Sequence, residues 1–353
     1  MSDRSLESAI PPHLQCPRTR HRRVPDDYQP PFPSTVARYD PSVKQVVMAY
    51  FGVQYNCDRM PPVVARTLKM LAEAFASDRG ARHWDRAQYI DEAGFTNVIS
   101  VGYWDAPSDF DDWFSRYGVA WADGSVAEST LGTFTEVVKP AVDRFETLLS
   151  SDRPEGIARL ADGLSNPVQE HGYWGGARDR IPLSQTQDMA PAARPRIVTN
   201  GLHQRVLGHE NLCLIRSGQD WSATEGEERR MYLEEVEPAL SAGMEFLRDH
   251  GLPVGCFANR YVTVVDAGGG ALEKRYGMSW WRSLSALERW AESHPTHVAI
   301  FGAAMKYLGA MGSAARLRLY HEVTVAAAAE QYFEYYNCHP RTGMLRSLFA
   351  PEE

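Results

Sequence analysis

The chain has 353 residues, 44% of them hydrophobic, with a formal net charge of −8 and a pI near 5.8. An acidic balance without a lysine/arginine block excludes a basic nucleic-acid footprint. The lack of any run of about 18 apolar residues excludes a membrane-spanning helix. Five scattered cysteines (Cys16, Cys57, Cys213, Cys256, Cys338), no CxxC and an N-terminus without an apolar core lead us to expect reduced thiols in a cytoplasmic protein.

Residues 1–35 carry seven prolines and are expected as an extended arm lying over the body, 36–353. The first strand is expected over Val43–Tyr55, followed by a helix from Pro61 through Ala76. Asn97–Trp104 reads as a strand, a short helix starts near Ser108, and a further amphipathic stretch runs from Thr133 to Ser150. The second half repeats this order. Asn211–Ser217 reads as a strand buried on both faces, with Ser217 at its end. A long helix over 224–250 is closed by Gly251. Gly255–Val265 is a strand ended by the turn Asp266-Ala267-Gly268-Gly269-Gly270. Helices near Ser283–Ser293 and from Pro295 onward then lead to a strand over Leu317–Val325.

One stretch is an internal repeat. Trp104, Ser108, Phe110 and Trp113 recur as Trp281, Ser285, Leu287 and Trp290 at identical spacing, each copy reading as a strand end, an N-cap serine and a short helix. We therefore expect an α+β fold made of two repeats, about 43–150 and 205–345, with antiparallel sheets backed by helices. With no GxGxxG after a strand and no GxxxxGK[ST], a nucleotide fold is disfavoured.

Two histidines stand out. His321 shares its strand phase with Leu317, Leu319, Val323 and Val325, the inward face. His297 opens a helix rich in small residues, on a face with Phe301, Ala304 and Leu308. Small residues beside an imidazole allow a flat macrocycle to approach the backbone, with the histidine as axial ligand. A satisfied core histidine is the commoner outcome for such a pattern, and zinc on His294 and His297 lacks a third ligand. Ser217 could aim a hydroxyl into a pocket or simply bond its own turn. The stretch 170–185, with Arg178 and Arg180, reads equally as a pocket loop or as a solvated surface loop.

The strings Glu170-His-Gly-Tyr-Trp-Gly175, Arg180-Ile-Pro-Leu-Ser-Gln-Thr186, Leu214-Ile-Arg-Ser-Gly-Gln-Asp-Trp221, Leu287-Glu-Arg-Trp-Ala-Glu-Ser-His-Pro-Thr-His297, Leu317-Arg-Leu-Tyr-His-Glu-Val323 and Tyr336-Asn-Cys-His-Pro-Arg-Thr-Gly-Met-Leu345 are collinear and span most of the chain. On these residues the chain resembles the haem-containing aldoxime dehydratases, phenylacetaldoxime dehydratase among them. The resemblance implies the conversion of aldoximes (R–CH=N–OH) to nitriles and water. It implies haem b, held non-covalently and ferrous in the active state, since Asn337-Cys338-His339 lacks the first cysteine of a CxxCH attachment. His297 would be the axial ligand, Ser217 would hold the oxime oxygen, His321 would be the distal acid/base, and Arg180, rather than Arg178, would support it. The fold expected is a duplicated ferredoxin-like one of the dimeric α/β-barrel type, and the assembly a homodimer. Two departures are visible: a longer stretch between His297 and His321, and Gly176-Ala177 in place of a bulkier pair. A peroxidase-type haem oxidoreductase is the alternative reading.

Overall fold

A computed structural model of the protein describes residues 6–126, 130–172 and 176–351. β1 (Val47–Tyr55) is buried along its whole length, which is why it reads as a continuous apolar run instead of an alternating one. α1 (Pro62–Phe75) begins with proline where a missing N–H costs nothing, and it buries Val64, Leu68, Leu71 and Phe75. β2 (His83–Ile90), β3 (Thr96–Trp104), α2 (Pro107–Trp113), β4 (Gly132–Val138) and β5 (Phe145–Leu149) follow. α3 (Gly176–Arg180) precedes a hairpin of β6 (Arg196–Asn200) and β7 (His203–Leu207). Then come β8 (Leu212–Asp220), α4 (Gly226–Met231), α5 (Glu237–His250), β9 (Cys256–Val265), β10 (Ala271–Trp281), α6 (Leu284–Ser293), α7 (Pro295–Met311), β11 (Arg318–Ala326) and β12 (Gln331–Tyr336).

Several expectations change. The stretch 133–150 is two strands, and the long helix over 224–250 is divided by a π turn, Tyr232–Val236. The repeated serines do not cap their helices. Ala106 stands at the N-cap of α2, and Ser283 caps α6 by accepting from the Ala286 N–H at 3.1 Å. Of the stretch 170–185, Tyr173, Trp174 and Gly175 lie outside the described residues, Gly176–Arg180 form α3, and Pro182–Gln185 form a 3₁₀ turn.

Twelve strands form one antiparallel sheet in the order β5-β11-β8-β10-β9-β2-β3-β1-β4-β12-β7-β6. Outward from the central β9–β2 junction, each half runs in the same order: the second, third, first and fourth of its five strands in chain order, taking β1–β5 and β8–β12 as the two sets. The fifth strands are exchanged: β5 leaves the first half to pair with β11, and β12 leaves the second to pair with β4. This exchange forces the sheet to roll. β11 and β12 stand eight strand spacings apart, about 38 Å if flat. The five chain steps from Ala326 to Gln331 reach only about 18 Å.

Rolling brings the two halves face to face around a shared interior. Tyr50 meets Trp280 edge-on at 6.4 Å, and the Tyr103 hydroxyl donates to Glu322 at 2.9 Å. Arg260 forks onto Glu136 through two bonds of 2.6 Å, which satisfies both buried charges. On the outer faces, α1 and α2 cover the first half, while α5, α6 and α7 cover the second.

Candidate active site

Ser217 and His321 are direct register partners on β8 and β11. Antiparallel partners share a face with Cβ atoms about 4.5–5.5 Å apart, so the hydroxyl and the imidazole are neighbours on the outer, helix-covered side. Ser217 does not end its strand as expected. Gly218 and Gln219 continue pairing with Tyr320 and Leu319, and Gly218 permits this because a Cβ there would strike the Tyr320 ring at 2.1 Å. His321 does share its face with Val323 and Val325, which pack under the helices. The opposite face, polar in sequence, is not solvated: Glu322 and Thr324 are buried in the rolled interior.

β11 borrows its neighbour β5 from the first half, and β5 delivers Glu146. Arg180, buried at the end of α3, donates to Glu146 Oε2 at 2.6 Å, to the Glu170 carbonyl at 2.7 Å and to His321 Nε2 at 2.8 Å. Gly176 allows this packing, since a Cβ there would lie 3.0 Å from the Arg180 guanidinium. The fixed charge of arginine makes it a permanent donor, so Nε2 accepts and the ring proton sits on Nδ1. Burial, then Arg180 and His171, hold the His321 pKa well below its ordinary 6.5. Glu146 Oε1 lies 3.3 Å from the same nitrogen, and burial raises its carboxyl above the ordinary range despite Arg180. Nε2 therefore has a donor in place for its neutral state and an acceptor for its protonated one. The N-terminal arm secures α3 from outside: Glu170 accepts from Ala9 N at 2.8 Å, and Asp179 accepts from Val24 N at 2.7 Å.

α7 faces this rung. His294 caps the helix, its Nδ1 accepting from Thr296 N. His297 donates from Nδ1 to the Ala291 carbonyl at 2.8 Å, which fixes its tautomer and puts the lone pair on Nε2. Its ring packs 4.5 Å from Trp290, and burial lowers its pKa to about 4. α7 has one charged residue in 17, yet it buries only Tyr307. Ile300, near one end, joins the cluster of Ile215, Val323 and Val325. Leu308 and Met311, near the other, join that of Leu317 and Leu319. Along β8 and β11, Ser217 and His321 fall between the residues of those two clusters. The far end of α7 is tied to β11 by Glu228, which accepts from the Tyr307 hydroxyl at 2.5 Å, Arg316 N at 2.6 Å and Leu317 N at 3.0 Å. The connection between the two histidines, with its 3₁₀ turn Gly312–Ala314, is held there.

Of the residues named from sequence, Arg180, His321 and Ser217 come together directly, and His297 stands on the helix above them. Arg178 belongs elsewhere: it forks onto Glu288 of α6. Glu146 escaped the sequence reading because 133–150 looked like one amphipathic segment. A lone carboxylate inside Phe145-Glu146-Thr147-Leu148-Leu149 was the available signal. A polar cavity of about 340 Å³ beneath the arm is lined by Arg20, Arg178, Asp188 and Glu288 and includes none of His297, Ser217 or His321.

The second half thus combines an apolar, partly exposed helix carrying a histidine of fixed tautomer with a Ser/His register pair on the sheet. The family model for haem-containing dehydratases matches residues 49–344. An aliphatic aldoxime dehydratase from Pseudomonas sp is 45% identical over 97% of this chain and 98% of its own. A phenylacetaldoxime dehydratase from Bacillus sp. (strain OxB-1) is 31% identical over 92% and 94%. A crystal structure of an aldoxime dehydratase with butyraldoxime is 44% identical, with a TM-score of 0.92, covering 97% of this chain and 96% of that one. The chain belongs to the haem-containing dehydratase family. The residues present fit that group: α7 is apolar and only partly buried, small side chains stand at its middle, and the His297 ring is oriented by the Ala291 carbonyl on Nδ1.

Proposed function

We propose that the protein converts aldoximes to nitriles and water, as a lyase, with haem b, ferrous in the active state, which His297 would hold. The observation that carries this reading is the Ser217–His321 rung with Arg180 hydrogen-bonded to the imidazole. Bound haem would supply an iron that takes the oxime nitrogen and weakens the N–O bond by feeding it electron density.

The chain's own residues handle the protons. Ser217 holds the oxime hydroxyl beside His321. Because Arg180 occupies Nε2, the proton on Nδ1 is the one delivered to the departing hydroxyl, turning a poor leaving group into water. That alone would leave an imidazolate, so Nε2 must gain a proton as Nδ1 loses one. Glu146, whose Oε1 lies 3.3 Å from Nε2, is the carboxyl placed to exchange that proton. The proton lost from carbon then restores the His321–Glu146 pair, so turnover is neutral: R–CH=N–OH becomes R–C≡N plus H₂O.

The higher identity to aliphatic than to phenylacetaldoxime enzymes supports aliphatic substrates, with arylaliphatic ones as the extension. The matching strand order of the halves supports duplicated ferredoxin-like units of the dimeric α/β-barrel type. Family membership supports a homodimer, and five unpaired thiols suit a reducing, cytoplasmic setting. Anaerobic incubation of the reduced, haem-loaded protein with butyraldoxime and phenylacetaldoxime, with nitrile quantified, tests the activity. Absence of nitrile from both would defeat it.

A further inference from the structure

α3 carries two arginines, two positions apart, that turn to different partners. Arg180 reaches the distal imidazole. Arg178 turns to α6, where Nε donates to Glu288 Oε1 at 2.9 Å and Nη2 donates to Oε2 at 2.7 Å. Nη2 also reaches the Ser285 hydroxyl at 3.0 Å, and Nη1 reaches the Asp188 carbonyl at 2.8 Å. Glu288 is 7% exposed, and Arg23 of the arm approaches it at 3.3 Å.

α6 has only ten residues, and its last turn supplies two of the contacts that orient His297: the Ala291 carbonyl on Nδ1 and the Trp290 ring. Its apolar residues Leu284, Leu287 and Trp290 anchor it to the sheet. Apolar contact is non-directional and leaves a short helix able to roll and slide. A planar guanidinium fork on a buried carboxylate is directional and fixes both motions.

We infer that the Arg178–Glu288 pair positions the axial histidine: it sets α6, and through the Ala291 carbonyl it sets the orientation and electron donation of His297. Neither residue touches the reacting atoms. This inference rests on the reading of His297 as the iron ligand. The arrangement makes α3 a strut that couples proximal and distal geometry, each of its arginines serving one side.

The test uses the haem-loaded, full-length protein and the variants Arg178→Gln, Glu288→Gln, their double and His297→Ala. The iron–histidine stretching band of the reduced protein and the rate of haem transfer to excess apomyoglobin are recorded beside kcat and KM. In both single variants the band shifts and haem leaves about 10-fold faster, the scale expected when a partner that orients a metal ligand is lost. The acid limb of the pH profile, which belongs to Arg180 and His321, stays in place, and the double variant is no worse than the worse single. An unmoved band with only a lowered melting temperature would reduce the pair to a structural clamp and overturn the inference, as would additive effects in the double. A band that survives His297→Ala would instead remove the axial reading itself.

Discussion

The two halves share a strand order and differ in what they do with the outer face of their first and fourth strands. Val47 opposite Trp104 corresponds to Cys213 opposite Trp281, so in the first half the rung equivalent to Ser217–His321 is Phe51–Thr135. Phe51 is fully buried in an aromatic cluster, within 5.4–6.4 Å of Phe75, Trp113, Phe114 and Trp121. That face is closed by packing. In the second half the rung holds small and polar side chains, and an additional helix, α7, packs on the clusters at either end of it. One framework therefore makes a core with aromatic residues and a site with Ser, His and a lightly packed helix.

This contrast can be broken most severely at the chemistry. His321→Ala is expected to keep haem and lower kcat by about 10²–10⁴; nitrile formation alongside the visible spectrum checks it. Next comes importing the first half's solution. Ser217→Phe should fill the slot and abolish turnover in a protein that still melts cooperatively. The reverse change, Phe51→Ser, should cost about 3–5 kcal/mol of stability and leave the activity of the folded fraction unchanged, as read by denaturation beside specific activity. A subtler break is Arg180→Gln, which keeps a donor near Nε2 but removes the charge. The His321 pKa should rise toward 6.5, so the activity that depends on the neutral ring should fall off at higher pH than in the wild type. A kcat/KM profile from pH 5 to 8 follows it.

The haem-free protein should show a related acid sensitivity. Burial lowers His83, His171 and His297 to about 4 from an ordinary 6.5. Between those values the unfolded chain binds more protons than the folded one, so this share of stability is complete above about pH 6.5 and is lost as pH falls toward 4. Thermal melts across that window check it, and haem should suppress the His297 part. The smallest effect is expected at Glu228→Gln, where loss of a charged acceptor for three donors should cost about 1–3 kcal/mol, seen as a lower melting temperature.

How much was legible varied with how local the cause was. The phase of 317–325 put His321 beside Val323 and Val325, because alternation is a property of the strand itself. The same pattern misled at Glu322 and Thr324, because a rolled sheet buries both faces and the partners of the polar side come from the other half: Tyr103 for Glu322, and Met48 near Thr324. Ser217 was placed one strand-end too early, since glycine commonly stops a strand and here makes room for Tyr320. Composition alone did not separate Arg178 from Arg180; only the family resemblance favoured Arg180. Their ways part only because Glu288 and Glu146 arrive on elements more than a hundred and some thirty residues away, respectively.

The sequence by itself determined the α+β class, the helix under His297 and the strand under His321, together with a family resemblance dense enough to suggest the chemistry. Those follow from short-range preferences and from strings of residues. Only the tertiary structure decided that β5 crosses to the other half, and with it that Glu146, Arg180 and His321 meet. Strand exchange depends on how two rolled half-sheets close on each other, a balance of long-range pairings that no local pattern encodes.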